Sequence, residues 1–165
     1  MHQKFPENQE LYISEDNQEC VDLSGKYENV SHIMLGEKHI TSKYTLPLST
    51  YFIDESTGTK ENTIQITQFD SGDIKVDLYK DTEIINSKTH YKNDDFICKR
   101  SKIIFKGELQ INDTMGVAAG RNSFEFGKTV SGDLVLVKTA KIGGIFVIFP
   151  AYVSGSELEF FKRIN

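Results

Sequence analysis

The sequence predicts an all-β domain, either a sandwich or a barrel of short antiparallel strands. From residue 23 onward, short runs of alternating apolar and polar residues recur along the chain. Clusters of Gly, Ser and Asp separate these runs at spacings of about 8–12 residues, which is typical of all-β domains. The 38% apolar content, with 11 Phe and 7 Tyr in 165 residues, is sufficient for one hydrophobic core.

The charge distribution divides the chain into a polar extension, residues 1–22, and a β domain, residues 23–165. Residues 1–24 hold six acids and one lysine, which accounts for the whole net charge of −5, so the remainder is balanced. The extension has neither strand nor helix periodicity, and we expect it to be loosely ordered. A balanced domain lacks the clustered cations that nonspecific nucleic-acid binding requires, so no nucleic-acid partner is predicted.

The clearest local prediction is a β-hairpin over residues 62–80. Ile64 and Ile66 alternate with polar residues before the turn, and Ile74, Val76 and Leu78 do so after it. The intervening Asp-Ser-Gly-Asp is a turn sequence, because its glycine adopts positive φ without steric cost.

The same alternation predicts weaker strands elsewhere, separated by turn residues at 131–133, 143–144 and 154–156. The predicted strands are Lys26–Val30, Leu48–Ile53, Glu83–Asn86, Phe96–Cys98, Lys102–Phe105, Ser123–Phe126, Leu134–Thr139, Ile145–Phe149 and Glu157–Ile164. Residues 31–44 are ambiguous between a short helix and an irregular lid, and Gly36, Thr41 and Ser42 disfavour the helix. Residues 116–120 are predicted to form a flexible loop of small residues.

Two late strands, Leu134–Val137 and Ile145–Phe149, are apolar on both faces. Such strands are covered on both sides within the chain, or they expose an apolar patch that serves as an interface. The pattern leaves both alternatives open.

The sequence predicts no catalytic residue, metal or cofactor. It contains no HExxH, CxxC, P-loop, GxGxxG or GxSxG motif. Three groups of polar residues are assigned to the solvated surface. The four histidines (His2, His32, His39, His90) are expected at the surface. The acid pairs at 54–55 and 94–95 are expected in solvated loops. The basic residues Lys99, Arg100, Lys102 and Lys106 are expected on the solvated face of a strand.

The compartment is predicted from the N-terminal segment and the cysteines. No basic and then apolar signal segment is present, and the longest apolar run, Ile145–Val153, is too short for a membrane span. The sequence as written is therefore expected to be cytoplasmic, with a periplasmic or envelope location as the alternative. Cys20 and Cys98 are expected to be reduced thiols rather than a disulfide.

The two ends of the β domain resemble calycins, the lipocalins and fatty-acid-binding proteins. Gly25-Lys26-Tyr27 is similar to their opening Gly-x-Trp, and the last strand carries Arg163 where theirs carries an arginine packed on that aromatic ring. The resemblance implies a single antiparallel up-and-down β-barrel of about eight to ten strands. It also implies that Tyr27 and Arg163 close one end through a cation–π contact worth about 0.5–2 kcal/mol.

Residues 20–164 also resemble uncharacterised bacterial envelope lipoproteins. The shared features are Cys20, the Leu-Ser-Gly-Lys-Tyr start, Pro47-Leu48-Ser49 and the strand Phe96-Ile97-Cys98. The resemblance implies that Cys20 would be the lipidated residue, and it implies no particular activity.

Three functions follow as hypotheses. The first is a non-enzymatic module that binds a small hydrophobic ligand inside the barrel, since barrels of about eight strands have room for one. The second is a structural or interaction protein of the cell envelope that uses strands 134–149 as an interface, including one between two copies in a homodimer. The third is a hydrolase or isomerase on a calycin-like barrel, which the lack of a nucleophile–base arrangement disfavours.

Overall fold

The computed structural model describes residues 20–35, 38–40, 46–54, 58–105, 109–112, 116–146 and 149–165. Most of the predicted polar extension lies outside these residues, as do Lys106 and His2. The described residues confirm the β class. The strands, in chain order, are β1 (Gly25–Glu28), β2 (His32–Leu35), β3 (Lys38–Ile40), β4 (Thr63–Gln68), β5 (Ile74–Lys80), β6 (Glu83–His90), β7 (Phe96–Lys99), β8 (Lys102–Phe105), β9 (Leu109–Asn112), β10 (Gly116–Lys128), β11 (Leu134–Phe146), β12 (Phe149–Phe161) and β13 (Arg163–Ile164).

These strands form two antiparallel sheets. The first has the order β13-β1-β4-β5-β6, and the second has the order β3-β2-β12-β11-β10-β8-β7, with β9 also paired to β10. The chain passes from one sheet to the other four times, after β1, β3, β6 and β12. Within the described residues, no ladder joins the edge strands β6 and β7. The finding is therefore two antiparallel sheets, without a closed hydrogen-bonded barrel.

The predicted hairpin is present as β4 and β5. Ile66 lies opposite Val76, and Ile64 lies opposite Leu78, so the inward residues of the two strands share one face. The turn is closed by a backbone hydrogen bond from the amide of Phe69 to the carbonyl of Asp73 (2.9 Å). Gly72 has φ +90°, as the turn sequence predicts.

The prediction of a strand at Leu48–Ile53 is wrong, because Leu48–Phe52 forms a helix, α1. Pro47 precedes the first turn, where its missing amide N–H costs nothing. The Ser49 amide donates to Asn29 Oδ1 at 2.8 Å, which satisfies one of the otherwise unpaired N–H groups of the first turn. Leu48 and Phe52, four residues apart, are both buried on one side of the helix.

The core lies between the two sheets and against α1. The Phe52 ring stacks on Phe126 with centroids 4.4 Å apart, and Phe105 meets both rings edge-on at 5.7 Å. The buried apolar residues of this cluster are Val21, Leu23, Tyr27, Leu48, Phe52, Ile64, Ile66, Ile74, Val76, Leu78, Phe96, Ile103, Phe126, Leu134, Leu136 and Phe161.

Several predicted breaks between late elements are also wrong. The loop predicted at 116–120 belongs to β10, the turn at 143–144 belongs to β11, and the turn at 154–156 belongs to β12. The separate strand Ile145–Phe149 is divided between the end of β11 and the start of β12. Ladder partners explain the difference, because glycines and serines that suit turns can stay extended where neighbouring strands supply backbone hydrogen bonds.

The ambiguous segment 31–44 contains strands where it is described. β2 pairs with β12, setting His32 opposite Phe160, and β3 pairs with β2. Neither the helix nor the irregular lid is present at these strands.

Candidate functional site

Tyr27 and Arg163, predicted as a closing pair, lie directly opposite each other on β1 and β13. Tyr27 is fully buried, and its hydroxyl donates to the Leu23 carbonyl at 2.8 Å. Burial raises the pKa of Tyr27 to about 12, and the positive charge of Arg163 partly offsets this rise. A Cβ atom at Gly25 would lie 3.2 Å from the Tyr27 hydroxyl and 3.3 Å from Arg163 Nε. The two side chains therefore converge on Gly25.

The expectation of two reduced cysteines is wrong, because Cys20 and Cys98 form a disulfide. Val21 and Leu23 are buried in the core, so the segment 20–24 packs along the end of the sheets. This packing brings the Cα atoms of the cysteines within 5.0 Å, although they are 78 residues apart in sequence. A sulfur held in a disulfide cannot also carry a thioether-linked lipid, so this bond excludes lipidation of Cys20.

The residues expected at the surface have mixed outcomes. Lys99, the last residue of β7, and Arg100, in the turn that follows, are exposed. Lys102 pairs with Glu125 on β10, with Nζ and Oε2 3.1 Å apart. Asp54, Asp94 and Asp95 are exposed. The described residues contain no cluster of His, Cys, Asp and Glu that could hold a metal ion.

The expectation of a surface position is wrong for His90, because this residue is buried. Its Nε2–H donates to the Phe52 carbonyl at 2.6 Å, and its ring meets Phe105 edge-on at 5.1 Å. Burial lowers the pKa of His90, and the hydrogen bond to Phe52 only partly opposes this effect. His90 is thus a neutral residue that holds the end of α1 on the core.

The most unusual interior feature is an ion pair between β11 and β12. Leu134 and Leu136 of β11 point into the core. Lys138 is two residues further along the same strand, so its side chain lies on the same face as theirs. Glu159 lies opposite Leu136 and has no exposed surface. Lys138 Nζ donates to Glu159 Oε1 at 2.6 Å, which compensates a charge that is otherwise costly to bury.

Two aromatic side chains complete this site. Lys138 Nζ lies 5.8 Å from the centroid of the Tyr51 ring, within the range of a cation–π contact. Tyr51 packs on Phe124 with centroids 5.3 Å apart, and Phe124 lies opposite Lys138 on β10. Burial disfavours the ammonium form of Lys138, but the hydrogen bond and charge of Glu159, together with Tyr51, outweigh it and raise the pKa of Lys138.

Solvent reaches this layer but not the layer beside it. The Lys138 side chain is 23% exposed, and Tyr51 and Phe124 are partly exposed. One step along the strands, Phe126 and Leu136 have no exposed surface. Tyr51, Phe124, Lys138 and Glu159, here called the interior polar site, therefore form a layer at the margin of the packed core, in which Glu159 is buried and the other three residues are partly exposed.

Sequence reasoning missed the interior polar site. One signal for it was present, because Lys138 continues the inward phase of Leu134 and Leu136, and Glu159 is in phase with Phe161. The pairing of the two charges depends on the register of β11 with β12, and the contribution of Tyr51 depends on the unexpected helix α1.

Comparison with protein-family models, curated proteins and solved structures finds no match to this chain. Within the part of the chain that is described, no helix is long and apolar enough to cross a membrane.

Proposed function

We propose that this chain is a non-enzymatic binding protein that holds a small hydrophobic ligand against the interior polar site. The observation that carries the proposal is the exposure of inward-facing side chains at this level. Lys138 is in phase with buried core residues and still keeps 23% of its side-chain surface exposed. Tyr51 and Phe124 add aromatic surface beside it, and binding sites for small ligands combine apolar surface with a few polar groups in this way.

The proposal includes a calycin-like, up-and-down arrangement of the strands. Support comes from β1, which pairs with β4 on one side and with the terminal strand β13 on the other. The register that sets Tyr27 opposite Arg163 fits a closing role for these residues at one end. In this arrangement, β6 and β7 would flank an opening in the wall.

The proposal also places the protein outside the cytoplasm, in the periplasm or at the cell envelope. Its support is the disulfide between Cys20 and Cys98, since disulfides persist in oxidising compartments and are rare in the cytosol. A relationship to bacterial envelope lipoproteins remains part of the proposal, with any lipid carried elsewhere than on Cys20 while that bond is intact.

The described part of segment 134–149 gives less support to its use as an interface. Leu134, Val135 and Leu136 are buried, and Val135 lies opposite the buried Phe160. Both faces of β11 are covered at this point, which favours covered strands over an exposed patch.

Titration with Nile red, a neutral lipophilic dye, tests the proposed function. We expect saturable binding to the oxidised full chain, and about tenfold weaker binding by Phe124→Ala, which removes apolar contact surface. Phe69→Ala is the matched control, because Phe69 is a 46% exposed aromatic residue at the β4–β5 turn. Absence of saturable binding, or equal weakening by both substitutions, would contradict the proposal.

A further inference from the structure

Resting on the proposed function, we propose that the interior polar site selects neutral amphiphiles that carry a hydroxyl, ester or amide group. Carboxylates and amines of the same chain length bind less tightly. The relevant arrangement is the ion pair of Lys138 and Glu159, which gives the site two opposite charges at close range.

The pair makes the site polar without giving it a net charge. Glu159 is completely buried, and its carboxylate accepts a hydrogen bond from Lys138 at 2.6 Å. The exposed part of the pair is on the lysine, next to the Tyr51 ring. A ligand therefore reaches the Lys138 side chain first, with the Glu159 carboxylate behind it, while the Tyr51 hydroxyl oxygen is itself buried.

A charged ligand group is disfavoured whichever sign it carries. A ligand carboxylate that approached Lys138 would lie close to the Glu159 carboxylate, and like charges in a partly dry site repel strongly. A ligand ammonium would meet Lys138 itself. In both cases the ligand would also lose the hydration of its own charge without gaining an exclusive counter-ion.

A neutral polar group avoids both costs. A hydroxyl oxygen accepts a hydrogen bond from an ammonium, and its proton can be donated to an oxygen acceptor. An ester or amide carbonyl accepts in the same way. The apolar part of such a ligand would lie on Tyr51 and Phe124, whose rings pack together with centroids 5.3 Å apart.

The other basic group near α1 does not change this conclusion. Lys88 is exposed, and its Nζ donates to the Ile53 carbonyl at 3.4 Å. Its charge is held toward solvent, where water and salt screen it.

Competition against bound Nile red tests the inference, with 1-decanol, decanoate and decylamine as ligands of equal chain length at pH 8. We expect 1-decanol to displace the dye at about tenfold lower concentration than either charged ligand. Glu159→Gln removes the carboxylate charge that repels a ligand carboxylate beside Lys138, so decanoate should then compete about as well as 1-decanol. The matched control is Glu125→Gln, which breaks the surface pair with Lys102 and should leave the order unchanged.

The possible outcomes separate this inference from the proposed function. If Nile red binds saturably and decanoate equals or exceeds 1-decanol in the wild-type protein, the selection for neutral ligands is wrong and the binding function stands. If Nile red does not bind saturably, the binding function itself fails. The wild-type competition decides the inference even if Glu159→Gln does not fold, and a folded Glu159→Gln protein with an unchanged order of ligands would also overturn it.

Discussion

The ammonium of Lys138 lies 2.6 Å from the carboxylate of Glu159, but the two charges differ in exposure. The Glu159 side chain has no exposed surface, whereas 23% of the Lys138 side chain is exposed. Water can therefore hydrate Lys138 if its partner is removed, and it cannot readily hydrate Glu159. This asymmetry has direct consequences for stability.

We expect Lys138→Met to be more destabilising than Glu159→Gln. Lys138→Met removes the ammonium that compensates a completely buried carboxylate, and it should lower the free energy of unfolding by about 3–5 kcal/mol. Glu159→Gln leaves a cation that solvent can reach, and it should cost about 1–3 kcal/mol. Urea denaturation at pH 8 measures both values. Lys102→Met is the surface control and should cost less than about 1 kcal/mol. Equal costs for the two interior substitutions would contradict the asymmetry.

Loss of the disulfide should destabilise the fold. Removing a cross-link between residues 78 apart restores much conformational freedom to the unfolded chain, and the expected cost is about 2–5 kcal/mol. Denaturation of wild-type protein with and without dithiothreitol measures it. The Cys20→Ser/Cys98→Ser protein should match the reduced wild type and should not respond to dithiothreitol. A wild-type midpoint that dithiothreitol leaves unchanged would show that the bond does not stabilise the fold.

Two glycines should differ in their tolerance of alanine. Both have positive φ, +87° at Gly58 and +90° at Gly72. A Cβ at Gly58 would lie 2.8 Å from Ser49 Oγ and 3.0 Å from Leu78 Cδ2, whereas at Gly72 it would meet the flexible Lys92 side chain at 2.7 Å. We expect Gly72→Ala to cost about 1–2 kcal/mol from backbone strain. Gly58→Ala should cost more, because packed groups must also move. Thermal denaturation measures the order, and equal losses would contradict it.

His90 should make stability fall in mild acid. Burial lowers the pKa of His90 below the ordinary value of a histidine, so the unfolded state binds a proton more readily than the folded state. The neutral His90 ring therefore makes its full contribution to the free energy of unfolding above about pH 6.5. This contribution is lost as the pH falls below that value, at up to about 1.4 kcal/mol per pH unit.

Urea midpoints measured between pH 8 and 5 test this expectation. His90→Phe should lower stability at pH 8, because the Phe52 carbonyl loses its donor, and it should flatten the acid dependence. A wild-type slope retained in His90→Phe would assign the acid sensitivity to another group.

The hairpin of β4 and β5 was predictable because its information is local. The alternation of Ile64 and Ile66 with polar residues, and a glycine in the turn, both lie within a 19-residue window. Helix α1 was not predictable in this way. Leu48–Phe52 is a single turn, which is too short to show the periodicity of a helix. It depends on the side chain of Asn29, which accepts from the Ser49 amide and donates to the Thr59 carbonyl at 2.7 Å.

The interior polar site was hidden for a similar reason. Lys138 has the same parity along the strand as Leu134 and Leu136, but its role depends on the partner that it contacts. That partner is 21 residues away and is selected by the β11–β12 register. The disulfide is hidden in the same way, because docking of Val21 and Leu23 brings Cys20 to β7.

The bond between Cys20 and Cys98 makes residues 20–98 a covalent ring. The ring contains α1 and four of the five strands of the first sheet, β1, β4, β5 and β6, as well as β2 and β3. When a protease cuts one peptide bond inside this ring, the disulfide still holds the two pieces together as one molecule. They separate into two fragments only after reduction. In an oxidising compartment, a single cleavage therefore cannot release a fragment from the part of the fold that carries Tyr27, Asn29 and Tyr51. Strands β8–β13 lie outside the ring and lack this protection.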